Sequence, residues 1–365
     1  MINKLELSAV LEKAAPFLMA KSFAPILTHF CFNGSTVIAF NDLQAIEVKY
    51  KSELNCALPG ALLSKLINSL QNNALEVIQK MDEIQFTSGK TKIKVPTLPS
   101  EDFIFEMPSV EDCQEIRVPL DVISGLANCL ISTSNDLANP EKSGVRLIIH
   151  DKILEFYSSD SVSLSKFVYN SPDVPDCVID IIIPSAFCEQ LIRLTKTKAS
   201  DVEETAFVNI FISPDDEDTF LIAEIDANIT IFTRLIEVEE KIYYDEIINS
   251  FETQLSCWNA IPKELENIID RACILVAPEE SYITSFECKD KNIFIETTSK
   301  SGKSDDVLSF ETTLVNGKFR INPEVIKRIL GSMTQFAFSF TNPIIAFKGC
   351  NGNFLHFAAV KDLEF

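Results

Sequence analysis

Apolar and polar positions alternate with period two along much of the chain, and at three places that pattern gives way to helical spacing behind a proline. The first pass runs through residues 37–42 and Ala57-Leu58-Pro59 into a helical stretch over 62–70. The second runs through 153–160 and Ile182-Ile183-Pro184 into 187–194, and the third through 293–298 and Ile321-Asn322-Pro323 into 325–333. Pro59, Pro184 and Pro323 are 125 and 139 residues apart. Solenoid units repeat at about 20–50 residues, so the repeating object is a whole domain. A second helical signal opens each third, over 8–15, 119–130 and 262–272; Pro119 and Pro262, with acids in the following turn, suit helix N-termini. Further alternating runs at 45–50, 206–212, 229–233 and 335–340 are rich in Phe, Ile and Thr, which marks half-buried antiparallel strands. The fold expected is α+β, one domain used three times, each with two helices and antiparallel sheets. Polar connectors at 108–112 and 249–252 set the domains at 1–115, 116–250 and 251–365.

Composition narrows the class. At 365 residues, three domains are each large enough for a core. No uncharged apolar run reaches the roughly 18 residues a membrane helix needs, and Glu6 interrupts the N-terminus too early for a signal peptide. The ten cysteines are scattered with no C-x-x-C pair, and are expected as buried free thiols in a reducing cytoplasm. Three histidines, His29, His150 and His356, sit in or beside strand-like runs without metal-ligand spacing. No phosphate-binding loop, dinucleotide fingerprint or nucleophile elbow occurs; Gly302-Lys303-Ser304 has Thr297 where the first glycine would stand. The acidic run 214–218 reads as a hairpin tip, since it lacks the glycine and glutamate of a calcium loop. Neither catalysis, a metal nor a cofactor has an address in this sequence.

Net charge is −21, distributed as −4 over residues 1–116, −14 over 117–250 and −3 over 251–365. Bulk acidity opposes nucleic-acid binding, because phosphates reward basic surfaces. The three Pro-headed helices are exempt from it. They carry Lys65, Arg193, Lys196, Lys198, Lys327 and Arg328 against only Glu189 and Glu324. Cations near helix C-termini also suit the macrodipole, at about 0.3–1 kcal/mol each. That does not explain the absence of acids around Lys65. Equivalent faces spared from acidity in three repeats suggest one polyanion-facing surface.

With these segments the chain resembles the bacterial-type β sliding clamp, the processivity factor of replicative DNA polymerases. The likeness spans all three domains and is carried by Ala24-Pro25-Ile26-Leu27, Pro96-Thr97-Leu98-Pro99-Ser100-Glu101-Asp102-Phe103, Ser158-Ser159-Asp160 and Arg271-Ala272-Cys273-Ile274-Leu275. The resemblance implies a head-to-tail homodimeric ring around duplex DNA, helices inside and sheets outside, held by topology rather than tight contact. It implies a cytoplasmic accessory subunit with no catalytic site, whose partners are DNA, a polymerase and a clamp loader. Lys21 lies at a loop position that is basic in the family and joins the six helix cations as a DNA-facing candidate. Phe103 and Phe105 would face Ile274 and Leu275 of a second copy across the ring interface.

The family also receives client peptides in a hydrophobic cleft. The matching positions are Ser159, Ser161, Val162, Ser163 and Leu164, then Ile242, Tyr244 and Ile247, with Ile344, Val360, Leu363 and Phe365. Many relatives read Thr-Asp-Gly-His-Arg-Leu where this chain has Ser159-Asp160-Ser161-Val162-Ser163-Leu164, and end Met-Pro-Met-Arg-Leu where it has Lys361-Asp362-Leu363-Glu364-Phe365. Losing the arginine and gaining Glu364 should penalise acidic clients. These departures suggest a divergent, phage-encoded or otherwise specialised member. The alternative is an α+β protein-interaction scaffold that does not bind DNA.

Overall fold

The computed structural model describes residues 1–364 except 135, 137, 173, 197–206, 215–218, 240, 277–283, 312 and 340–341. Seven α-helices lie among the described residues: α1 (Lys4–Ala14), α2 (Gly60–Ser69), α3 (Leu120–Cys129), α4 (Ser185–Lys196), α5 (Tyr244–Glu252), α6 (Glu264–Leu275) and α7 (Pro323–Leu330). The Pro-headed helices each start two residues earlier than expected, because the chain turns helical directly behind Pro59 and Pro184 and on Pro323 itself. Asn322 caps α7 by accepting the Glu324 N–H. That helix stops at Leu330, three residues short of expectation, where Gly331 and Ser332 follow; Met333 instead opens the strand Met333–Phe338. α5 falls where a polar connector was expected, and its Tyr244, Ile247, Ile248 and Phe251 keep helical spacing.

The chain forms two compact units, Met1–Ile123 with Ala186–Leu235, and Ser124–Ser185 with Ile236–Phe365. The first holds an eight-stranded antiparallel sheet in the order Asn55–Pro59, His29–Asn33, Thr36–Phe40, Gln44–Lys49, Ile229–Arg234, Phe220–Asp226, Phe207–Ile212, Gln114–Pro119. At its centre Gln44–Lys49 pairs with Ile229–Arg234. One ladder therefore continues from the first expected domain into the second. A four-stranded sheet, Ile2–Asn3, Ala74–Gln79, Glu83–Ser88, Thr91–Pro96, completes the unit. α1 packs on α2, burying Leu7, Leu11, Leu63 and Ile67. Gly60 packs closely at the head of α2, where a Cβ would lie 2.1 Å from Leu18 Cδ1 and 3.1 Å from the Thr28 carbonyl oxygen, so any larger residue would have to displace Leu18.

The second unit repeats the scheme. Its eight-stranded sheet runs Ile179–Pro184, Gly144–His150, Ile153–Ser159, Ser163–Asn170, Phe354–Ala359, Ile344–Gly349, Met333–Phe338, Asn259–Ala260. The central pairing is Ser163–Asn170 with Phe354–Ala359. A five-stranded sheet runs Gly302–Ser309, Asn292–Ser299, Thr284–Lys289, Gly317–Ile321, Lys361–Glu364, and α6 packs on α7. Strand Gln114–Pro119 crosses the first expected domain boundary and α5 the second.

All ten cysteines are free thiols, but only Cys31, Cys56, Cys129, Cys188 and Cys288 are buried. Cys113, Cys177 and Cys257 fall in connecting segments, which correct the expectation of ten buried thiols. Among the described residues no helix is long and apolar enough to cross a membrane.

Candidate peptide groove and basic helices

In the second unit a tight hairpin joins Ile153–Ser159 to Ser163–Asn170. The Asp160 carboxylate accepts the N–H groups of Val162 (3.0 Å) and Ser163 (2.6 Å), and the Asp160 N–H donates to the Ser163 carbonyl (3.2 Å). This places Ser161 at φ +75°, left-handed backbone that favours glycine. Val162 accepts the Ala359 N–H (2.8 Å), which pins the turn to the neighbouring strand. Beside the turn opens a groove of about 200 Å³. It is lined by Ser159, Ser161, Val162, Ser163, Leu164, Ile247 and Ile344, all expected, and by Phe251, Phe357 and Ala359, which were not. Ile242 and Tyr244 sit in the apolar cluster that contains Leu164, Ile344 and Phe357, and Val360 is buried. Leu363 lies on the strand Lys361–Glu364, its side chain outside the described residues, as is all of Phe365.

A polar network flanks the apolar cluster that holds Ile242 and Tyr244. Arg146, only 8 % exposed, forks onto Asp180 (2.7 and 2.9 Å) and also donates to the Ile242 carbonyl. Glu141 accepts the Ile242 N–H at 2.8 Å, so the chain entering α5 is held at both backbone groups. Burial raises the Asp180 pKa, but Arg146 and Lys241 outweigh it and hold the carboxyl below the usual range. Tyr157 stacks on Tyr244 (5.4 Å) and donates to Asp245 (2.7 Å), which Lys166 pairs at 2.7 Å. Under the turn, Ser163 bonds Ser132 (2.9 Å), Ser132 bonds Ser165 (2.8 Å), and Ser165 bonds His356 Nδ1 (2.9 Å). His356 is fully buried, its Nε2 without a partner among the described residues, and burial pushes its pKa down to about 3.

The expected DNA-facing cations divide by what they touch. In the first unit Lys21, Lys65 and Lys196 are exposed. Arg193 is half-buried and donates to the Lys13 carbonyl (2.8 Å) and to Gln190 (2.8 Å), capping the end of α1. In the second unit Arg328 is exposed, while Lys327 pairs with Asp270 on α6 at 3.0 Å. Lys198 lies outside the described residues. Phe103 and Phe105, expected at the ring interface, are half-buried and pack on the core of their own unit, while Ile104 is 66 % exposed. Ile274 is 80 % exposed and Leu275 half-buried. Among the described residues no group of three or more His, Cys, Asp and Glu could hold a metal.

No protein-family model matches the chain. Solved structures do. A DNA polymerase III beta subunit from Eubacterium rectale superposes with a TM-score of 0.82 at 18% identity, covering 99% of this chain and 98% of its own. The DNA polymerase sliding clamp of Bacillus subtilis gives 0.82 at 16%, covering 98% and 97%. A sliding clamp of Bartonella birtlesii bound to griselimycin gives 0.83 at 16%, covering 98% of both. The chain is an α+β protein with the fold of the polymerase III beta-subunit sliding clamps.

Proposed function

We propose that this chain is a DNA sliding clamp, a polymerase accessory subunit without catalysis of its own, acting in the cytoplasm. The observation that carries the reading is the clamp fold spanning 98–99% of the chain in structures such as those of Eubacterium rectale and Bacillus subtilis. Two features of the chain support it: a preformed apolar groove for a linear client peptide, and helices spared from acidity in a chain of net charge −21. Two copies close head to tail around duplex DNA. Each copy offers two open sheet edges for that contact: Thr91–Pro96 with Lys92 and Lys94, and Gly302–Ser309 with Asp305 and Asp306. Ile104 and Ile274 supply exposed apolar surface for it. Clients, among them polymerase and clamp loader, dock in the groove beside Ser161 and Val162.

One observation favours the scaffold alternative. Arg193 and Lys327 are already committed within the chain, which among the described residues leaves Lys21, Lys65, Lys196 and Arg328 to meet phosphate. Retention on DNA decides between them. A clamp sediments as a dimer and, once loaded, stays on closed circular DNA but slides off after linearisation. A monomer at micromolar concentration, or equal retention on both forms, refutes the clamp reading.

A further inference from the structure

The hairpin turn at the groove has a counterpart in the first unit. Asn41 Oδ1 accepts the N–H groups of Leu43 (3.2 Å) and Gln44 (2.8 Å), and the Asn41 N–H donates to the Gln44 carbonyl (3.0 Å). Asp42 takes φ +77°, and the Leu43 carbonyl accepts the Arg234 N–H (3.0 Å). Every one of these features repeats one at Asp160, Ser161, Val162 and Ala359. Strand registers repeat as well: Ala45 stands opposite Phe232 as Leu164 stands opposite Phe357, and Phe220 opposite Arg234 as Ile344 opposite Ala359. Phe40, Ala45, Phe220 and Phe232 therefore occupy in one unit the places of Ser159, Leu164, Ile344 and Phe357 in the other.

Occupancy is what differs. Ser159, Leu164, Ile344 and Phe357 border open space. At the corresponding place in the first unit lies Phe105, its ring stacked on Phe40 at 4.5 Å and tilted against Phe232 at 5.1 Å. Phe103 and Met107 pack on the same cluster, while Ile104 and Glu106 point to solvent. No helix or strand includes residues 103–110, so this stretch is held mainly by alternate side chains, as an extended peptide ligand would be.

We propose that the first unit carries a second peptide groove of the same design, closed by the chain's own segment 103–107 acting as an intramolecular ligand. The proposal rests on the reading of the second unit's groove as a client site. It limits each chain to one open groove where the repeat supplies two. It also gives the closed groove a ligand chemistry: an extended peptide with aromatic or methionine side chains at alternate positions.

Phe105→Ala in the full chain empties the central position, and the probe is the peptide Asp-Phe-Ile-Phe-Glu-Met-Pro, blocked at both ends. Added in excess, it should recover at least half of the melting-temperature loss of the variant and leave the wild type unchanged. The same peptide with its second phenylalanine replaced by alanine should do nothing. With benzoylphenylalanine at that place it should photolabel the Phe40 or Phe232 region of the variant only. If Phe105→Ala does not fold, Phe105→Leu serves with the labelling readout. Rescue no better than with the alanine peptide, or no labelling in the first unit, overturns the proposal. The client reading is judged separately: if a polymerase-derived peptide fails to label the wild type near Phe357 while rescue at Phe105 succeeds, that reading falls and the intramolecular ligand stands.

Discussion

Protonation of His356 should make the second unit acid-sensitive. The imidazole is fully buried, and its pKa is pushed down from 6.5 to about 3 by desolvation. Above pH 6.5 neither the folded nor the unfolded chain protonates it, and the full stability is present. Between pH 6.5 and about 3 the unfolded chain binds a proton that the folded chain does not. Stability then falls with pH at about 1.4 kcal/mol per unit. From pH 6.5 to 5.0 the loss is about 2 kcal/mol. The assay is built in: Trp258 is the chain's single tryptophan and packs on the cluster holding Leu164 and Phe357. Urea denaturation followed by its fluorescence reads the unit that contains His356. His356→Gln removes the titration while keeping a polar side chain, so the wild-type and variant curves should converge by about 2 kcal/mol between pH 7 and 5. Other titrating groups cancel in that difference. Parallel curves would refute the argument, showing that His356 is reached by water or a proton in the folded state.

Ser161→Gly relieves a left-handed residue, worth about 1–2 kcal/mol, against about 0.4–1 kcal/mol of added unfolded-chain entropy, so denaturation midpoints should rise slightly. Arg146→Ala leaves the Ile242 carbonyl and half of the Asp180 pairing unmet; a loss of about 3 kcal/mol is expected, with faster amide exchange through α5. Lys65→Glu with Lys196→Glu alters exposed side chains, so melting should not change. Under the clamp reading, retention on circular DNA should weaken and become less salt-dependent.

The repeat and its helices were legible because proline, helix formers and alternation are local signals. Pro59, Pro184 and Pro323 mark real helix starts. α5 also carried its signal, in Tyr244, Ile247, Ile248 and Phe251, but without a proline or a capping side chain it resembled a connector. The groove was legible in its turn residues, since 159–164 are contiguous. Phe251 and Phe357 arrive from distant strands and helices, and only tertiary pairing brings them there. Phe103 and Phe105 show a different limit. Alternation identifies a strand-like segment with two faces, but which face meets a core depends on what waits there. Arg193 is a third case: a cation at a helix end can serve solvent or the carbonyl of a neighbouring helix, and its spelling is the same.

The central ladders of the two large sheets have a mechanical consequence. Gln44–Lys49 against Ile229–Arg234, and Ser163–Asn170 against Phe354–Ala359, each run antiparallel with five matched residue pairs. A load pulling the paired strands lengthwise would strain many hydrogen bonds at once instead of peeling them singly. Within each unit the seam between repeats thus resists shear as a continuous hydrogen-bonded ladder. Any give under force falls to segments such as 103–107, which belong to no ladder.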